Sequence, residues 1–294
     1  MKRWKGYLLI AAAAVCWGGV ATVVKHLLNI HFDPLVIVQT RVTISCVLLL
    51  GYLLVTNPRH LIPAWRDVPL IMLVGICGIA GSNYFYYFAI QESTVATAIL
   101  IQYCAPILVA LYAVVVQRHR MSVFSVAAIV LAMAGIFLAV GGYDSSVLRA
   151  TPKAMLYAFI AAIAYSIFNI AGKPLIKKYS VWRSMFFTLL AASLFWSVIN
   201  LPQHLIAAHY PVADWGALTF VSLVSILIPF GCYFAGLRYI QPTQAIVTST
   251  LEPVVAIFSE FIFLGSVMTG IQILGAVCVL GAIIILQQKT VADV

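Results

Sequence analysis

The chain has 294 residues, of which 64% are hydrophobic and only 9% charged, with a formal net charge of +9. A soluble globular protein carries about 25% charged residues, so a chain this poor in charge lacks the polar groups to cover a water-facing surface and belongs in lipid. Its Lys and Arg stand singly or in pairs between apolar runs and form no basic face, which argues against nucleic-acid binding despite the positive sign.

In chain order, the first stretch, MKRWKGYLLIAAAAVCWGG, imitates a signal peptide. Its uncharged run over 6–24 is longer than a typical apolar region of such peptides, so it reads as a retained first helix. Crossing a bilayer takes about 20 apolar residues. Ten such runs follow one another: 6–27, 34–56, 68–90, 94–116, 122–142, 152–173, 182–202, 214–237, 243–264 and 270–288. The connections are short, which leaves no room for a soluble domain. The expected fold class is an all-α membrane protein. With a cytoplasmic N-terminus, thirteen Lys and Arg fall on the cytoplasmic side and three opposite, with Arg41 inside a span. That bias predicts a multi-pass protein of a bacterial inner (plasma) membrane with both termini cytoplasmic.

The two halves echo each other. YYFAIQESTVATAILIQYCAP, ending at Pro106, aligns with YFAGLRYIQPTQAIVTSTLEP, ending at Pro253, at an offset of 147. Trp17 and Lys25 fall opposite Tyr165 and Lys173 at an offset of 148. These matches predict two five-helix repeats, 1–146 and 147–294, the second inverted because five is odd. Inverted repeats with a site at their interface mark secondary transporters.

An ionisable residue at the bilayer centre costs about 2.5–3.5 kcal/mol, so each is a candidate for function. Glu252 lies about ten residues into the ninth run, roughly 15 Å deep at 1.5 Å per residue. It reads either as a substrate-amine or proton site, or as a structural acid. Arg41, at comparable depth in the second run, reads as a bidentate partner for a substrate carboxylate, as a snorkelling cation, or as the ion-pair partner of Glu252. Ala245, Thr248, Ser249 and Glu252, spaced by three and four, predict one polar stripe on a continuous helix. Trp17, Tyr84, Gln102, Tyr103, Tyr165 and Asn169 are further cavity candidates, with helix-to-helix hydrogen bonding as the alternative. Tyr86, Tyr87 and Phe88 read as an interfacial aromatic belt. Lys25 reads as a snorkelling cation, Lys173 as a topology signal and Glu260 as a solvated or capping acid. Pro106 and Pro253 each remove a backbone donor in mid-membrane and predict matched kinks or gates, one per half.

No HExxH, GxSxG or Walker loop occurs, and the six histidines sit in connections or span ends. The six cysteines lie in apolar runs without a CxxC pair, which argues against a zinc site or disulfide framework. No enzyme activity, cofactor or metal is expected. The expected partners are a small-molecule substrate and membrane lipid, with the chain monomeric or homodimeric.

Trp17-Gly18 followed by Lys25, Asp33-Pro34 leading to Arg41, Ala98 through Pro106, and Leu251-Glu252-Pro253 together resemble the signatures of EamA-type transporters of the drug/metabolite transporter superfamily. Phe263-Leu264-Gly265 resembles that family's FLGE, with Ser266 in place of the acid. The resemblance covers nearly the whole chain. It implies ten helices in two inverted repeats around a central cavity, and a secondary transporter exporting small organic metabolites such as amino acids or their derivatives. Alternating access, coupled to protons or facilitative, is the implied mechanism. Import of a vitamin-like solute on the same fold, and a non-transporting scaffold or receptor, stay open as alternatives.

Overall fold

The computed structural model describes residues 3–29, 34–56, 61–144, 148, 151–201, 211–264 and 267–289. Among these residues every regular element is helical and no strand occurs. In chain order they are α1 (Arg3–Asn29), α2 (Pro34–Thr56), a short 3-10 turn Trp65–Asp67, α3 (Val68–Met72), a π-helical stretch Leu73–Gly81, α4 (Ser82–Gln91), α5 (Val95–Gln102), α6 (Ala105–Val115), α7 (Val123–Ala139), α8 (Pro152–Lys178), α9 (Val181–Ile199), α10 (Val212–Ser222), a second π-helical stretch Leu223–Leu227, α11 (Ile228–Leu237), α12 (Pro242–Thr248), α13 (Leu251–Leu264) and α14 (Gly270–Lys289).

Seven helical segments among the described residues are long and apolar enough to cross a membrane, including Trp65–Gln91, Val95–Val115 and Val212–Leu237, each of which joins two or more of these elements. Of the predicted runs, the fifth is a shorter apolar helix of 17 residues. The ninth is divided into α12 and α13 by the turn at Ser249 and Thr250. Tyr103 and Cys104 divide α5 from α6 in the same way. Pro106 and Pro253 each fall in the first turn of the helix that resumes. There the missing N–H would have no intrahelical acceptor, so proline ends one helix and starts the next without loss.

The interior is built on rings. Phe168 of α8 lies 5.2 Å from both Phe230 and Phe234 of α11, and Trp17 of α1 lies 5.3 Å from Phe230. Phe168, Tyr233 and Phe234 are fully buried. Small residues allow the closest crossings. A Cβ on Gly18 would stand 2.5 Å from the Glu252 carbonyl oxygen, so only glycine lets α1 lie against the start of α13. Ion pairs join both ends of α8 to both ends of the Trp65–Gln91 segment. Lys153 meets Glu92 at 2.5 Å and Lys178 meets Asp67 at 2.7 Å. The two helices therefore run antiparallel, and Tyr179 also donates to Asp67.

Candidate functional site

The turn that interrupts the ninth run organises a polar cluster. Ser249 and Thr250 are fully buried there, and Glu252 opens α13 half-buried. The Tyr103 hydroxyl, from the matching turn of the first half, lies 2.8 Å from Glu252 Oε2 and 3.0 Å from the Ser249 carbonyl oxygen. That carbonyl lies four residues before Pro253, which has no N–H to give it, and it accepts from the Glu252 N–H at 3.0 Å as well as from Tyr103. From α8, the Tyr165 hydroxyl donates to Ser249 Oγ at 3.0 Å. One turn on, Asn169 is fully buried and its Oδ1 accepts from the Tyr233 hydroxyl at 2.5 Å. Glu252, Tyr103, Ser249 and Tyr165 thus form a continuous hydrogen-bonded chain, with the Asn169–Tyr233 pair beside it.

A second cluster forms on the π-helical stretch Leu223–Leu227. Its Ser225 is buried and holds two partners at once. Trp17 Nε1 donates to the Ser225 carbonyl at 2.9 Å, and Arg41 Nε donates to Ser225 Oγ at 2.7 Å. Pro229 stands four residues after Ser225, so here too a proline withholds a donor where a side chain provides one. Arg41 is 3% exposed. Its Nη1 donates to the Tyr87 hydroxyl, and its guanidinium lies 5.5 Å from the Tyr87 ring centroid. No carboxylate of the described residues lies within ion-pair distance of Arg41. Trp17 links the clusters, because its ring lies 5.5 Å from that of Tyr233.

The structure therefore brings together Trp17, Arg41, Tyr103, Tyr165, Asn169, Ser249 and Glu252, and separates the rest. Arg41 and Glu252 are not an ion pair, since each is held by a different tyrosine on a different helix. The single polar stripe does not form, because the helix breaks between its members. Thr248 is buried with its hydroxyl turned back to the Gln244 carbonyl at 2.7 Å. Gln102, the last residue of α5, is half-buried and takes no part in the hydrogen-bonded chain. Tyr84 points to another place, against Phe88 at 4.4 Å and Trp196 at 5.1 Å. Tyr87 is no belt residue, being 6% exposed and bonded to Arg41. Lys173 does more than mark topology, since its ammonium donates to the Ile240 carbonyl. Asp33, Gly265 and Ser266, and the side chains of Lys25, Pro34, Glu260, Phe263 and Leu264, lie outside the described residues.

Ser225, Tyr87 and Tyr233 are the members that sequence reasoning missed. Ser225 sits in an apolar run, and its one signal was Pro229 downstream. Among the described residues no group of three His, Cys, Asp or Glu side chains has the arrangement of a metal site.

Comparison with known proteins agrees with this architecture. The EamA-like transporter family matches at residues 4–141 and again at 152–287, and the chain belongs to it. The threonine/homoserine exporter RhtA of Escherichia coli is 27% identical over 286 residues, covering 97% of this chain and 90% of that one. The uncharacterized transporter YyaM of Bacillus subtilis is 19% identical over 284 residues, covering 95% and 92%. A solved crystal structure superposes with a TM-score of 0.77 at 19% identity, over 97% of this chain and 96% of that one. The chain is thus a multi-pass membrane protein of a transporter family.

Proposed function

We propose that this transporter exports small zwitterionic metabolites, amino acids or their derivatives, by alternating access between two inverted five-helix repeats, 1–146 and 147–294. The ten-span reading with both termini in the cytoplasm of a bacterial inner membrane belongs to the same proposal. Its support is the family match to each half in turn, the matched proline breaks and the name of the RhtA relative.

One observation carries the reading: a buried arginine, without a carboxylate partner among the described residues, shares Ser225 with Trp17, whose ring lies 5.5 Å from Tyr233 beside the cluster that holds the half-buried Glu252. An unpaired cation is retained in an interior at considerable expense unless an anion visits it. Arg41 takes the substrate carboxylate, and Glu252 takes the substrate amine or a proton. Trp17, Tyr165 and Tyr233 form the wall between them. The Tyr103 hydroxyl has one hydrogen and two acceptors, Ser249 O and Glu252 Oε2. Both contacts are satisfied together when the carboxyl carries a proton and donates it to Tyr103, while Tyr103 donates to Ser249. An amine that takes the carboxylate displaces that proton, which couples solute to proton movement. The breaks at Pro106 and Pro253 act as the gates.

The test is flux of labelled threonine and other amino acids in proteoliposomes, with and without a pH gradient. Export that responds to the gradient in the wild type and ignores it in Glu252→Gln supports the reading. Unchanged flux with unchanged pH dependence in that variant rejects the coupling role. A chain that moves no solute, while midplane variants change nothing, is a scaffold or receptor.

A further inference from the structure

Tyr86 stands one residue before Tyr87 on α4, and it too departs from an interfacial belt. Its ring lies 5.7 Å from that of Tyr87, which holds Arg41. It also packs against the buried cluster that contains Ile99, Tyr103 and Val254, the cluster that flanks Glu252. The Glu252 charge acts electrostatically on the Tyr86 hydroxyl, and the Tyr86 and Tyr103 hydroxyls act on one another. Tyr86 thus stands between the residue that grips Arg41 and the residues that hold Glu252.

Two oxygens there are open. Tyr103 holds Glu252 through Oε2, which leaves Oε1 without a partner among the described residues. Tyr86 Oη likewise has none, and it does not bond the carboxyl whose charge it feels. Among the described residues, the side-chain polar atoms both sealed from solvent and without a partner are Ser184 Oγ and Trp196 Nε1. Tyr86 Oη and Glu252 Oε1 are not among them, so both keep accessible surface. Both residues are half-buried, yet dense protein surrounds the two groups. The surface they keep therefore opens onto interior space and not onto lipid.

The chemistry of that space selects its occupant. A carboxylate accepts only, and the phenol oxygen offers lone pairs while its single hydrogen turns elsewhere. A solute carboxylate would bring further acceptors beside Glu252 and be repelled. A solute hydroxyl has one hydrogen and satisfies only one of the two oxygens. An ammonium has three hydrogens and no acceptor, so it donates to Oε1 and to Tyr86 Oη together, and the charge strengthens both bonds. Methyl groups on the nitrogen remove those hydrogens. With two methyls one N–H remains, and the carboxylate takes it.

We propose that Tyr86 Oη is the second acceptor for the substrate ammonium beside Glu252, and that this pair selects primary amines over N-methylated ones. The proposal rests on the reading in which Glu252 receives the substrate amine.

The experiment reads binding to the purified full chain from the rise in apparent stability with solute concentration. The probes are threonine and N,N-dimethylthreonine. The wild type is expected to bind threonine about tenfold more tightly, the scale of a hydrogen bond to a charged group. Tyr86→Phe keeps the ring and removes the oxygen. It should weaken threonine about tenfold and the dimethyl probe by no more than about twofold, so the preference collapses. Glu252→Gln should weaken both probes, because the carboxylate serves both. Equal binding of the two probes by the wild type overturns the proposal, and that result needs no variant to fold. A preference that survives Tyr86→Phe reflects the bulk of the methyl groups and overturns it too. So does an equal loss of both probes, which makes Tyr86 a structural ring. In each of these cases a loss in Glu252→Gln keeps the amine at Glu252 and leaves the transport reading standing. Binding that Glu252→Gln does not change, or a wild type that binds neither probe, removes the amine from Glu252, and both readings fall together.

Discussion

The two π-helical stretches, Leu73–Gly81 and Leu223–Leu227, share a backbone irregularity and share no chemistry. The offset of 147 that holds over the adjoining stretch sets Cys77 opposite Val224, next to Ser225 in the second π turn. Ser225 gathers an arginine and a tryptophan in the interior, whereas Cys77 sits exposed on an apolar crevice. The helix breaks repeat the lesson. Both halves turn before a proline, and Ala105 stands where the other half has Glu252. A π turn or a proline break is a backbone device that lets helices bend past one another, and both halves carry it. Binding chemistry needs only one copy. An acid or a buried cation is costly in a membrane interior, so one half carries each polar group and the other half stays apolar at the matching place.

The largest effects should come from the polar member of each matched pair. Arg41→Ala should lower flux of carboxylate-bearing solutes by roughly 10- to 100-fold, because hydrogen bonds to charged groups contribute about 1.5–3 kcal/mol. Flux of simple cations should fall much less in the same proteoliposomes. Equal losses for both would make Arg41 a structural post between α2 and the second π turn. Next comes Glu252→Gln, with an expected drop of about tenfold, in the range of a lost charge-assisted hydrogen bond, together with loss of the response to a pH gradient. The reciprocal change tests the asymmetry itself. Placing an acid in the first half, Ala105→Glu with Glu252→Gln, should not restore the pH response, because Ala105 is fully buried in an apolar cluster with Val109, Ala162 and Ile246, whereas Glu252 is half-buried and bonded to the Tyr103 hydroxyl. Restoration would show that the two halves are chemically interchangeable.

Much of the fold is legible in the sequence because lipid imposes a simple code. Long apolar runs become helices, and Pro106 and Pro253 mark the breaks by their chemistry alone. Glu252, Arg41, Tyr103, Tyr165 and Asn169 stand out because a polar group in such a run has few bland explanations. What stays hidden depends on which side of a helix faces which neighbour. Tyr84 and Tyr87 are three residues apart on one helix, yet one looks into an apolar crevice and the other grips Arg41. Depth along the run does not separate them. The π turns are hidden for a related reason. Leucine, valine and isoleucine build them as readily as they build an α-helix, and the extra residue per turn arises from packing against neighbours. The clash that a Cβ on Gly75 would make, 2.4 Å from the Thr188 carbonyl oxygen, shows how close that packing is.

The finest test takes one residue from each π turn. Ser225→Cys keeps the size of the side chain roughly and replaces the Arg41 acceptor with a sulfur, which accepts weakly. Losing about 1 kcal/mol of a hydrogen bond should weaken solute binding about fivefold, seen as a raised KM for flux with little change in its maximum. Trp17 should keep its place, since it donates to the Ser225 backbone carbonyl and not to the side chain. Cys77→Ser puts the hydroxyl in the other half, where no arginine waits and the neighbours are apolar. Flux should stay within about twofold of wild type, the usual span for a surface substitution of about 0.5 kcal/mol or less. A fivefold loss in both variants would mean that the two π turns move as coupled hinges and that each hydroxyl or thiol tunes its own hinge. A loss in Ser225→Cys alone keeps the division in which geometry is duplicated and recognition belongs to one member of each matched pair.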